Sequence, residues 1–170
     1  MDKYECIAAF MVTVRKKMAL DNKAKLKAEK LKWNKEKEVI KDRIKSHSEL
    51  LNDLQDVFNH FIRLRDKDLP CISCGTMNQD IKYDAGHYYS RKGYSGIRFD
   101  EDNVHKQCSN RCNLHMSGNF AEYSIQLPRR IGEERFLALK VRRHIELKLS
   151  IPEIREKIAY YKLKVKELSK

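Results

Sequence analysis

Ile40, Ile44, His47, Leu51, Leu54, Phe58 and Phe61 follow one another at spacings of 4, 3, 4, 3, 4 and 3. That is a three-heptad helical seam. Leu50, Val57 and Leu64 widen the apolar face, which suits packing onto a core better than an isolated two-stranded coil. The first proline is Pro70 and the first glycine Gly75, so the pattern predicts one long helix from about Val14 to Arg65. Unbroken, it would reach roughly 75 Å at about 1.5 Å per residue. Asp21-Asn22 and Ser46-His47-Ser48 are the places where it can bend or stop. Near the other end Pro152 can open a helix, and Ile154, Ile158, Tyr161, Val165 and Leu168 repeat the 4, 3, 4, 3 spacing. The two seams can pair with each other or across a dimer.

Between Cys71 and Phe99 the period changes. Gly75, Gly86, Gly93 and Gly96 punctuate short runs such as Ile81-Lys82-Tyr83 and Ile97-Arg98-Phe99, which predict turns and short strands. Asn113–Leu127 and Gly132–Leu149 read as helices separated by Pro128. The segments expected are a basic helical arm over residues 1–66, a central module over 67–127 and a basic helical segment over 128–170.

Charge sharpens this division. The 170 residues carry 36 Lys and Arg against 24 Asp and Glu, a formal charge of +12. Residues 15–45 hold +8 of it and 128–170 hold +7, while 71–127 are neutral. A neutral centre between two cationic flanks points to a polyanion, with Lys23, Lys25, Lys27, Lys30 and Lys32 as candidate phosphate contacts. No run of eighteen apolar residues exists, which excludes a membrane-spanning helix, and Met1–Arg15 makes a poor signal peptide. The expected setting is reducing and cytoplasmic, where close cysteines more often bind metal than form disulfides.

Four of the five cysteines lie in that neutral centre, as Cys71-x2-Cys74 and Cys108-x3-Cys112. Two pairs of thiolates make a closed tetrahedral set that suits a structural Zn²⁺ and leaves no position for substrate. Cys6 has no partner, and packing is its expected role. Among the cysteine pairs stand Asp84-Ala85-Gly86-His87, then Asp102-Asn103, then Asn113 directly after Cys112. Zinc pinning of strands against a helix would let His87, Asn103 and Asn113 converge.

In this His-Asn-Asn order with four cysteines, the chain resembles the HNH, or ββα-metal, endonucleases. The run from Cys71 to Tyr123 looks like the NinG (Rap) recombination endonucleases of lambdoid phages, and flanking residues extend the resemblance over about 49–165. It implies an α+β, mainly helical protein: a zinc-stabilised, HNH-like ββα module flanked by a long N-terminal helix and C-terminal helices. The implied activity is metal-dependent hydrolysis of DNA phosphodiesters in branched recombination intermediates, Holliday junctions and D-loops, within the bacterial host of a bacteriophage. The partners it implies are branched DNA, a second copy of the chain and phage recombination proteins.

Residue by residue, the resemblance makes His87 the general base, Asn103 the residue that orients it or ties the strand ends, and Asn113 a ligand of catalytic Mg²⁺ or Mn²⁺. Relatives place an Asp directly before the catalytic His, where this chain has Gly86. Asp84 is then a candidate second ligand, with His115 and Asn119 as alternatives. His105 is assigned a structural or phosphate-contacting role, and His47 and His60 belong to a core edge or to solvent. Arg91, Lys92 and Arg98, among Tyr88, Tyr89, Tyr94 and Phe99, are candidates for gripping phosphates. Two rivals are an HNH nuclease of another DNA specificity and a non-catalytic, zinc-stabilised DNA-binding module.

Overall fold

The computed structural model describes residues 3–170, without the side chains of residues 3–9, 12 and 14. Cys6 falls among these, so its expected packing lies outside the described residues. The chain forms two compact units, residues 1–45 and 46–170. The first is a helix, α1, spanning Lys3–Arg43. It passes through Asp21-Asn22 without interruption, and its described side chains are exposed, apolar ones such as Leu26 and Trp33 as well as Lys23, Lys25, Lys27, Lys30 and Lys32.

The expected helix over Val14–Arg65 is therefore two helices. α2 spans His47–Arg65 and begins afresh at Ser46, whose extended backbone and side chain cap it. Glu49 N–H donates to Ser46 Oγ at 3.3 Å and Ser46 N–H donates to Glu49 Oε2 at 2.8 Å. This reciprocal box satisfies two N–H groups that a continuous helix would use internally. Consequently α2 belongs to the second unit, not to the arm over 1–66 that the unbroken helical pattern suggested.

In that unit β1 (Tyr83–His87) and β2 (Val104–Cys108) form an antiparallel hairpin in the register Tyr83 to Cys108, Asp84 to Gln107 and His87 to Val104. After β2 come a wide helical turn at Ser109–His115, then α3 (Phe120–Ile131), α4 (Glu133–Arg142) and α5 (Ile151–Leu168). The architecture is a mainly helical α+β protein with a small two-stranded sheet.

Four expectations shift here. Ile97-Arg98-Phe99 is not a strand: a 3₁₀ turn occupies Ser95–Ile97, and Ile97 is buried among α3 and α4 residues instead of pairing in the sheet. The helix expected over Asn113–Leu127 is interrupted, because Ser117, Gly118 and Asn119 all have positive φ. Pro128 lies inside α3 and does not end it; Gly132, at φ +86, separates α3 from α4. The helix expected to reach Leu149 stops at Arg142.

Two cores hold the unit. Leu50, Leu54, Phe58, Phe61 and Ile62 of α2 pack with Ile154, Ile158 and Tyr161 of α5, joined by Phe99 and Val104. The two heptad seams thus meet within one chain. Phe58 sits edge-on to Tyr161 and Phe99, with ring centroids 5.0 and 5.7 Å away. The seam's upstream members Ile40 and Ile44 are exposed, since they precede the new cap. In the second core Tyr88, Tyr89 and Ile97 of the hairpin loop pack with Tyr123, Leu127 and Ile131 of α3 and with Phe136 and Leu139 of α4. No described helix is long and apolar enough to cross a membrane.

Candidate metal centre and active site

The Cys71–Cys74 turn lies beside β2, where Ile72 N–H donates to the Lys106 carbonyl at 2.9 Å. Cys108 ends β2 and Cys112 sits in the following turn. Their four Sγ atoms lie within 4.8 Å of one another, buried except for partly exposed Cys74. Cys71 and Cys74 stand 3.8 and 3.7 Å from Cys108. The edge of a tetrahedron with Zn–S bonds of about 2.3 Å is ~3.8 Å, so this donor set fits a zinc-sized ion. Two N–H groups point at the sulfurs, Cys108 N–H to Cys71 and the Asn119 amide to Cys112, at 3.3 and 3.9 Å. Burial and the adjoining thiols push Cys112 above the ordinary thiol range. Burial also raises Cys74, but hydrogen bonds from Thr76 and the other sulfurs prevail and lower it. A bound cation would relieve this crowding by holding all four as thiolates.

Next to the sulfurs, β1 and the turn after β2 bring Asp84 and Asn113 together. Asp84 Oδ2 accepts from Asn113 Nδ2 at 3.0 Å and from Ser109 Oγ at 2.5 Å. Asp84 Oδ1 and Asn113 Oδ1 carry no hydrogen bond among the described residues. They are hard oxygen donors of the kind Mg²⁺ takes, alongside water and substrate phosphate. The two further candidates stand apart: His115 is exposed, and Asn119 is turned to Cys112. They do not share a helix face, because the left-handed residues lie between them.

His87 ends β1. Successive residues of a strand face opposite sides, so His87 lies across the sheet from Asp84. Its Nε2 donates to the Arg98 carbonyl at 3.0 Å, and the Ala85 backbone also acts on the ring. Burial pushes the imidazole down to about 4; the Arg98 carbonyl opposes this and the Arg91 charge adds to it. Asn103 is fully buried and holds the loop after β1: its amide donates to the Tyr89 and Ile97 carbonyls and accepts from Tyr89 N–H. It makes no hydrogen bond to His87.

Several residues that periodicity did not single out shape the site. Gln107, opposite Asp84, is completely buried and donates to Ser73 Oγ and the Gly118 carbonyl at 2.6 and 2.5 Å. Asp66, the C-cap of α2, accepts from Arg65 and from Lys106 N–H, and lies 3.5 Å from His105. Burial would raise Asp66, yet His105 and Arg65 hold it well below the usual carboxylate range. His105 accepts at Nδ1 from Arg65 and donates from Nε2 to the Asp102 carbonyl, a buried neutral ring with a structural role. His47 donates to the Leu149 carbonyl at 2.7 Å and His60 is exposed. Tyr88 and Tyr89 are core residues, Arg91 and Lys92 are exposed, and Arg98 is half-buried. The available signal was polarity out of phase: Gln55 interrupts an apolar helix face, and Ser109 follows a cysteine.

A hairpin and helices gathered around four convergent cysteines define a small α+β protein built on a centre able to hold a metal. The chain belongs to the NinG family: the family model described as Bacteriophage Lambda NinG protein matches residues 2–170. It is similar to Protein ninG of Escherichia phage 933W, 42% identical over 125 residues that cover 74% of this chain and 61% of that protein. Protein ninG of Escherichia phage lambda is 41% identical over 125 residues, 74% of this chain and 60% of its own. That of Salmonella phage P22 is 48% identical over 89 residues, 52% and 43% of the two chains. The chain thus spans about three fifths of the first two relatives and less of the third. No solved structure matches.

Proposed function

We propose that this chain is an HNH-type DNA endonuclease acting on branched recombination intermediates, Holliday junctions and D-loops, with Cys71, Cys74, Cys108 and Cys112 holding a structural Zn²⁺. One observation carries the reading: Asp84 of β1 and Asn113, the residue after Cys112, meet side chain to side chain with an oxygen of each left over. Those two residues would hold Mg²⁺ or Mn²⁺. The cation supplies stabilisation of negative charge on the phosphate and the departing oxygen. The four cysteines fix the end of β2 and the turn after it, and so set Asn113 against Asp84. His87, neutral at pH 7, carries the unprotonated ring nitrogen that a general base requires. The cationic flanks supply the affinity for DNA, and branch selectivity follows from the family resemblance. Elemental analysis is expected to give about one zinc per chain.

A non-catalytic DNA-binding module is the second reading, favoured by the placement of His87 and Asp84 on opposite faces of β1. Incubation with junction, D-loop, flap and linear duplex DNA, with and without Mg²⁺ or Mn²⁺, decides between them. Metal-dependent cutting is expected. His87→Ala should lower it by at least roughly 10²-fold, while Asp84→Ala and Asn113→Ala should raise the metal concentration for half-maximal rate. Binding without cutting on every substrate rejects the nuclease.

A further inference from the structure

Arg98 joins three elements. Its carbonyl accepts the His87 Nε2 proton, its Nε donates to Gln55 Oε1 of α2 at 2.8 Å, and its guanidinium lies 5.1 Å from the centre of the Phe99 ring. Partial burial and the nearby charge of Arg91 both disfavour its cationic form. The positive charge of both side chains also disfavours a protonated His87 ring. Among the described residues no carboxylate pairs with either arginine. Other half-buried arginines of this unit differ in their partners: Arg65 pairs with Asp66 and Arg142 with Asp100 and Asp102, whereas Arg130 donates only to the Pro70 carbonyl. A desolvated, unmatched cation lowers stability, and it is tolerated where a counter-ion arrives from outside.

Gln55 makes the arrangement specific. It is 3% exposed, on the same helix face as Leu54 and Phe58, and its Nε2 donates to Asn59 Oδ1 at 2.8 Å. That bond turns the amide oxygen toward Arg98. A glutamate here would offer the same acceptor and also cancel the charge.

We propose that Arg98 and Arg91 form a receptor for one backbone phosphate of DNA beside His87, and that Gln55 is the positioning residue that aims Arg98 without neutralising it. The proposal deepens the DNA reading above and rests on it. Two guanidiniums with ten N–H donors between them suit a phosphate, and Arg98 is held by its Nε, which leaves its terminal amino groups for the ligand.

The test measures affinity for a junction and for linear duplex as a function of salt, in Ca²⁺ to suppress cutting, and cleavage separately in Mg²⁺ or Mn²⁺. Arg98→Gln should weaken binding roughly 10- to 100-fold, and Arg91→Gln with Arg98→Gln should flatten the slope of log affinity against log salt by about 0.9, one phosphate. Gln55→Glu should weaken binding about as much as Arg98→Gln while its melting temperature holds or rises. A merely structural Gln55 predicts unchanged affinity, since Glu keeps the acceptor toward Arg98 and gives up only the donor to Asn59. Unchanged affinity and slope in Gln55→Glu and in the double arginine variant overturn the receptor, even in an enzyme that cuts. Loss of cutting in wild type with this binding pattern intact overturns the nuclease reading alone, and wild-type protein that binds no DNA overturns both.

Discussion

At the residue scale, packing explains why glycine stands directly before His87. A Cβ there would collide with Gln107 Oε1 and stand 2.9 Å from Gln107 Cβ. Gln107 cannot give way without breaking its bonds to Ser73 and Gly118. Gly86→Asp is therefore expected to destabilise by about 1–3 kcal/mol in denaturant titration, and not to lower the metal requirement. Adding Gln107→Ala should recover part of the loss, a coupling that a double-mutant cycle reads directly. His87 gives a second expectation. Its folded pKa of about 4 lies below the ordinary 6.5, so the unfolded chain binds more protons between those values, and stability falls as pH drops through that window. His105, also lowered by burial, acts in the same direction. Melting temperatures measured from pH 7 to pH 5 should fall in wild type and fall less in His87→Gln. If His87 is the base, the acid limb of the cleavage rate should lie nearer pH 4 than 6.5; a limb at 6.5 would assign the proton to another group.

Among elements, the pairing of α2 with α5 decides the fold of the second unit. Phe58 is fully buried where α2, α5 and the hairpin loop meet. Phe58→Ala should cost about 3–5 kcal/mol, whereas Ile40→Ala, at an exposed position of the same sequence seam, should stay within about 0.5 kcal/mol. Equal losses by chemical denaturation would mean the seam continues through Ser46. The contrast shows what periodicity can and cannot read. Spacing found both seams because burial of a helix face repeats with the turn. It ran through the break because a cap is written in single residues, here Ser46 and Glu49, and not in a period. Ile97-Arg98-Phe99 has strand-like residues, yet Ile97 and Phe99 go to different cores, and no β propensity encodes that. The cysteine pairs were legible from spacing alone. The meeting of Asp84 with Asn113 was only half legible: the residues could be named, but their distance follows from the hairpin register and the turn after Cys108.

Across the whole molecule, the two basic flanks that look equivalent in sequence differ in structure. In the C-terminal one, Arg135 and Arg142 pair with Asp102, Arg130 donates to the Pro70 carbonyl, and Arg143 lies over the Tyr89 and Tyr94 rings. Much of that charge is engaged in packing. On α1, Lys23, Lys27 and Lys30 share one side of the helix and Lys25 and Lys32 the opposite side, all exposed. Charges on both sides of a helix can follow phosphates on two separate duplex arms. Removing residues 1–45 is therefore expected to leave 46–170 folded, with its cysteine centre and its cooperative melting, because both cores and the four cysteines lie within it. DNA affinity should fall for every substrate, and the salt slope should flatten by about 0.9 for each phosphate that the lysines no longer neutralise. Preference for junction over linear duplex should fall too, since one duplex cannot engage two faces of α1 at once. The rate at saturating DNA should change little, as every candidate catalytic residue remains. If the shortened protein binds and discriminates as the full chain does, α1 grips no phosphates and its lysines are only a solvated surface.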